Sequence, residues 1–80
     1  MFYVYILRSV GDPEQHYTGL TDDLRARLAE HNAGRSAHTA KYRPWILVSY
    51  TALPNRERAA AFERYLKSGS GRAFANRHLR

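Results

Sequence analysis

The chain has no cysteine among its 80 residues, which excludes disulfide support and any thiolate metal site. No apolar run approaches the roughly 18–20 residues needed to span a membrane. Acidic residues are scarce: 7 Asp plus Glu stand against 13 Lys plus Arg, giving a net charge of +6 and a pI of about 10.2. Met1 leads straight into Phe2-Tyr3-Val4-Tyr5-Ile6-Leu7. With no basic segment before it and no small-residue cleavage pattern after it, this run reads as a strand and not as a secretory leader. The resulting expectation is one cytoplasmic domain over residues 1–80, monomeric or a small homo-oligomer, with no membrane association. That length is near the lower limit at which a single core supports itself.

What is abundant is arginine, whose planar fork matches phosphate geometry better than the lysine ammonium does. A cationic excess of this size in so short a chain points to a polyanionic partner, nucleic acid before any other. The plain alternative is a merely soluble surface. A membrane surface fits poorly, because no segment joins a long apolar face to a basic one.

Phe2, Val4 and Ile6 alternate with Tyr3, Tyr5 and Leu7, so residues 2–8 read as a central strand covered on both faces. Gly11, Asp12 and Pro13 punctuate a turn over 9–15, and a second strand over 16–20 completes an antiparallel hairpin. A helix is expected over 22–32, with Thr21 as N-cap, Asp22 and Asp23 in its first turn, and Asn32 and Gly34 as the stop signal. Residues 33–44 form a loop of small and basic residues. Trp45 to Thr51 is dense in β-formers. A helix over 56–67 follows Pro54 and Asn55, with Ala59, Phe62 and Leu66 in one narrow arc. Ser68-Gly69-Ser70-Gly71 should break it, and Arg72 to Leu79 reads as a short last helix anchored by Phe74. The order β-β-α-β-α-α implies an α+β fold, a small three-stranded, mainly antiparallel sheet flanked by helices.

The organising stretch is Tyr17-Thr18-Gly19 and the helix after it, on which Asp23, Arg27 and His31 recur at i, i+4 and i+8 and so share one side. Tyr3-Val4-Tyr5, Tyr17-Thr18-Gly19, Arg27, His31 and Glu63, in this order and on these elements, resemble the GIY-YIG nuclease superfamily, in particular its small stand-alone members. Tyr3-Val4-Tyr5 stands where that superfamily has Gly-Ile-Tyr, and Tyr17-Thr18-Gly19 where it has Tyr-Ile-Gly. Tyr3 replaces the first glycine. Asn76 is a loose counterpart of an asparagine often found after the glutamate helix.

The resemblance implies a metal-dependent endonuclease that hydrolyses phosphodiester bonds in DNA, using one Mg²⁺ or Mn²⁺ ion. It assigns Tyr5, Tyr17, Arg27, His31 and Glu63 to the catalytic site. Tyr5 or Tyr17 would position the attacking water, and a phenol with a pKa of about 10 needs a nearby cation such as Arg27 to act as a base. Arg27 would hold the scissile phosphate, or else pair on the helix surface with Asp23. His31 would orient a phosphate or a tyrosine hydroxyl, or simply suit the helix dipole. Glu63 lies about 40° from Ala59 on the helical wheel, at the edge of the buried stripe. It would hold the metal, or pair with Lys67 at i+4. Arg35, Lys41 and Arg43 would track a nucleic-acid backbone, and Arg72, after the Ser-Gly run, would meet a phosphate at a helix start. The rival reading is a nucleic-acid-binding module that keeps the fold and does not cut.

Overall fold

A computed structural model describes all 80 residues. The elements in chain order are β1 (Phe2–Ser9), β2 (His16–Thr21), α1 (Leu24–Asn32), a 3-10 turn (Ala40–Tyr42), β3 (Trp45–Leu53), α2 (Arg56–Leu66) and α3 (Gly69–His78). The sheet is antiparallel in the order β2-β1-β3. β1 is therefore the central strand, as its doubly apolar alternation requires. β3 runs two residues past the expected Thr51, because Ala52 and Leu53 still pair with Tyr3 and Phe2.

The two faces of β1 serve two cores. Val4 and Ile6 are buried against Ala59 and Leu66 of α2 and Ala75 of α3. Tyr5 and Leu7 are buried with Trp45, and Leu24, Leu28, Tyr17 and Tyr42 pack around them. The sheet thus separates α2 and α3 from α1. This places the tyrosine at position 5 on the α1 side.

Three local expectations are corrected. The N-cap of α1 is Asp23, whose carboxylate accepts from the Ala26 N–H at 3.0 Å. Thr21 is held in β2 by its pairing with Tyr3 and instead accepts from the Asp23 N–H. The Ser-Gly run separates two helices by only Lys67 and Ser68. Ser68 serves both ends at once, donating to the Tyr65 carbonyl at 2.6 Å and accepting from the Gly71 N–H at 3.2 Å. Nor does Phe74 anchor α3. The buried residues there are Gly71 and Ala75, since a Cβ at position 71 would collide with the Tyr65 carbonyl. The two helices approach too closely for a large side chain to lie between them.

The stop signal of α1 is where the sequence put it, with Gly34 at φ 78° beyond the C-cap. Asn32 does more than stop the helix. Its side chain accepts from the Trp45 N–H at 2.6 Å and donates to the Trp45 carbonyl at 3.1 Å, which ties the start of β3 to the end of α1.

Candidate active site

Four of the five expected residues surround one point near the β2 edge of the sheet, on the α1 side. Tyr5 comes from β1, Tyr17 from β2, and Arg27 and His31 from α1, one helical turn apart. Gly19, the cross-strand partner of Tyr5, makes the arrangement sterically possible. A Cβ at position 19 would overlap the Tyr5 phenol and stand 2.9 Å from the Tyr17 ring. The glycine of the Tyr-x-Gly motif is thus a passage for the neighbouring tyrosine.

Tyr5, Tyr17 and His31 form a compact aromatic triangle, with ring centroids 6.2, 5.9 and 5.0 Å apart. The Tyr5 hydroxyl lies 2.9 Å from Nε2 of His31. Nδ1 of His31 lies 2.6 Å from Oγ1 of Thr39, and Oγ1 reaches the Ser36 carbonyl at 3.5 Å. With the Thr39 hydroxyl donating to Ser36, Nδ1–H of His31 donates to Oγ1, and Nε2 is left to accept from Tyr5. Tyr5, His31 and Thr39 are essentially inaccessible to solvent, so the network is fixed by packing as well as by bonding. The Trp45 indole N–H donates to the Thr39 carbonyl at 2.8 Å and fixes the loop from below. His31 is therefore neither an exposed dipole partner nor a free phosphate ligand. It orients a tyrosine hydroxyl.

Burial pushes the Tyr5 phenol up to about 12, and the neighbouring Arg27 guanidinium, which favours the phenolate, only partly offsets this. The same contact with Tyr5 raises the already high pKa of Arg27. Burial lowers the pKa of His31, with Arg27 as a further cause. Tyr5 is consequently a neutral hydrogen-bonding group near pH 7, and so is His31. Arg27 is half-buried and also meets Glu30 at 3.5 Å. Asp23, on the same side of α1, takes no part because capping occupies it.

Glu63 belongs to α2, on the opposite face of the sheet from α1. Its negative charge is the weakest of the influences on the Tyr5 phenol, in the direction that raises its pKa, well behind burial. The side chain is 23% exposed and pairs with Lys67, Oε2 to Nζ, at 3.1 Å. No group of three or more acidic or imidazole side chains converges anywhere in the molecule. A single carboxylate is the donor set that a hard cation accepts when water and a substrate phosphate complete its shell. Glu63 fits Mg²⁺ or Mn²⁺ on that basis, provided Lys67 gives way. An exposed pair of this kind contributes only about 0.2–1 kcal/mol, so it yields readily. No enclosed pocket surrounds these groups; Tyr5 and His31 are buried, and Tyr17 and Arg27 are the members of the cluster that reach the surface.

Arg35, Lys41 and Arg43 are exposed on the segment joining α1 to β3, and Arg72 is exposed in the first turn of α3. Arg43 also donates to the Ala40 carbonyl at 3.3 Å. The Ser68 cap already occupies the Gly71 N–H, so the start of α3 is not an open row of donors. Asn76 accepts from Arg80 at 2.8 Å and belongs to no part of the tyrosine cluster described above. Thr39 is the site residue that sequence reasoning missed. No helical or strand period links it to His31 across an irregular loop. Its one signal is a β-branched polar residue among small and basic neighbours.

The family model described as GIY-YIG catalytic domain matches residues 1–77 of the chain. A UPF0213 protein of Streptococcus pyogenes serotype M3 is 39% identical over 72 residues, spanning 89% of this chain and 76% of the relative. One from serotype M5, strain Manfredo, is 38% identical over the same length. The solution NMR structure of the UPF0213 protein BH0048 from Bacillus halodurans is similar with a TM-score of 0.52. It is 32% identical, over 91% of this chain and 80% of that one.

Proposed function

This chain belongs to the GIY-YIG family, among the small UPF0213 proteins, and from that premise we propose that it is a divalent-metal-dependent endonuclease that hydrolyses phosphodiester bonds in DNA. The family domain suggests nuclease activity in general and with it a nucleic-acid substrate. The observation that carries the finer reading is the convergence of Tyr5, Tyr17, Arg27 and His31 at one edge of the sheet, with buried Tyr5 and His31 beneath the partly exposed Tyr17 and Arg27.

Each residue has a task that follows from its surroundings. Arg27 binds the scissile phosphate through its fork and balances the charge that grows there during attack. Tyr5 is too weak an acid to serve as a base near neutrality. It stays protonated, donates to His31 and steadies the adjacent guanidinium. The more exposed phenol, Tyr17, is then the one that meets and orients the attacking water. His31, held by Thr39, keeps Tyr5 in place. Glu63 would hold the Mg²⁺ or Mn²⁺ ion, which when bound supplies Lewis-acid polarisation of the phosphate. Arg35, Lys41, Arg43 and Arg72 contribute sequence-independent attraction to the backbone.

The test is direct. The purified protein is incubated with labelled single-stranded, duplex and branched DNA and with RNA, in Mg²⁺, Mn²⁺ or EDTA. Cleavage that needs the cation and yields internal nicks in DNA is expected. Binding without cleavage under all conditions would leave the non-cutting module as the correct reading.

A further inference from the structure

α2 and α3 present a second surface that the candidate active site does not use. Four rings form a continuous row across them. Phe62 stacks on Tyr65 with centroids 6.2 Å apart, Tyr65 meets Phe74 at 6.2 Å, and Phe74 meets His78 at 4.9 Å. Phe62 packs against the core and roots the row. Tyr65 and Phe74 are 41% and 38% exposed. The close seat of α3 on α2 is made by Gly71 and Ala75, not by these two rings. Tyr65 lies about 200° around α2 from Glu63, so the row faces away from the tyrosine cluster.

α2 carries Glu57 and Glu63, and past Glu63 every charge near this row is positive. Beyond Glu63 the sequence carries Arg64, Lys67, Arg72, Arg77 and Arg80 with no acidic residue through position 80. Arg58, four residues before Phe62, and Arg77, three after Phe74, share the faces that bear the rings. Both are exposed, and neither forms an ion pair.

We propose that this row is a stacking platform for unpaired nucleotides, with bases on Tyr65 and Phe74 and phosphates against Arg58 and Arg77. A single strand offers a flat ring and an anion at each step, which is what the surface is complementary to. A duplex hides its base faces, and a second copy of this chain would set like charges against each other. The inference rests on the reading of the protein as one that acts on nucleic acid. It does not depend on Glu63 or on any step of cleavage.

The test measures binding of the whole protein in EDTA by fluorescence anisotropy. The probes are a labelled thymidine strand of about twelve nucleotides, within the range one small domain covers, and an abasic strand of the same length and charge. The wild type should prefer the thymidine strand at least about fivefold, the least that one stacked base contributes. Phe74→Ala and Tyr65→Ala should erase the preference. Phe74→Leu, which keeps the apolar packing, should erase it too, so a loss through misfolding is told apart by circular dichroism. In Phe74→Trp the preference should persist, with indole emission quenched as the strand is added, while Trp45 stays buried and unquenched. Arg77→Gln should weaken both strands alike and lessen the salt dependence. Equal binding of the two strands by wild type, or a preference that survives Phe74→Leu, overturns the platform. So does a concentration-dependent dimer in sedimentation that the same variants dissolve. Cleavage is read in parallel. Base preference without cleavage of any substrate overturns the nuclease reading alone, and cleavage without base preference overturns the platform alone.

Discussion

The ring of Tyr5 lies across Gly19, its partner in the neighbouring strand, in space that any side chain at position 19 would occupy. The two residues are 14 positions apart, and neither is unusual alone. Together they let a phenol from the central strand emerge at the sheet edge beside Arg27 and reach His31.

Gly19→Ala should therefore cost about 1–3 kcal/mol, the usual range for overpacking a filled site. Both groups in its way belong to rings that β1, β2 and α1 hold in place. Thermal denaturation checks the stability. The loss of the Tyr17–His31 ring-current shifts in the NMR spectrum checks the accompanying disorder of the site. An unchanged melting temperature would show that the phenol has room to move.

The raised pKa of Tyr5 has a signed consequence. A phenol near 10 when unfolded and at about 12 when folded contributes stability that is fully present below pH 10. That contribution is lost as pH rises toward 12. Stability measured by urea titration should fall across this window, and the fall should shrink in Tyr5→Phe. In a spectrophotometric titration of the folded protein, Tyr5 should be among the last tyrosines to ionise.

His31 behaves in the opposite sense. Its folded pKa lies below the ordinary 6.5, so its contribution is present above that value and is lost as pH falls through the folded pKa. Protonation also turns Nε2 from an acceptor into a donor and removes the partner of the Tyr5 hydroxyl. ¹⁵N spectra at pH 7 should show neutral His31 with the proton on Nδ1, and Thr39→Val should disturb that state while Thr39→Ser preserves it. A midpoint at or above 6.5, or a proton on Nε2, would contradict the network.

Lys67 competes for the proposed metal ligand, because it pairs with Glu63 at 3.1 Å. Lys67→Gln should strengthen Mn²⁺ binding several-fold, measured by calorimetry or paramagnetic relaxation. The pair is worth at most about 1 kcal/mol, so the gain is bounded.

Charge reversal of Arg35, Lys41 and Arg43 to Glu should weaken nucleic-acid binding for all sequences and flatten its dependence on salt. Filter binding at several salt concentrations measures both. Affinity that ignores salt and survives the three changes would exclude the loop from binding.

The sequence made the sheet order legible through β1, where apolar residues on both faces demand a central strand. Helical spacing put Arg27 and His31 on one side of α1, and the resemblance to the GIY-YIG superfamily joined Tyr5 and Tyr17 to them. Thr39 was hidden, since a loop has no period by which its residue can be assigned to a partner. Gly71 was misread, because a glycine that breaks a helix and one that lets two helices meet are the same letter. The difference lies in Tyr65, whose carbonyl fills the space. Likewise, competition between Thr21 and Asp23 for the cap is decided by strand pairing, which no local rule contains.

The central claim rests on Glu63, and Glu63→Gln is its most direct test. The substitution keeps size and helix propensity while withdrawing the charge that would hold a divalent ion. The folded variant should lose cation-dependent cleavage of DNA and keep its affinity for the substrate in EDTA. A folded Glu63→Gln protein that cuts as fast as wild type would contradict it.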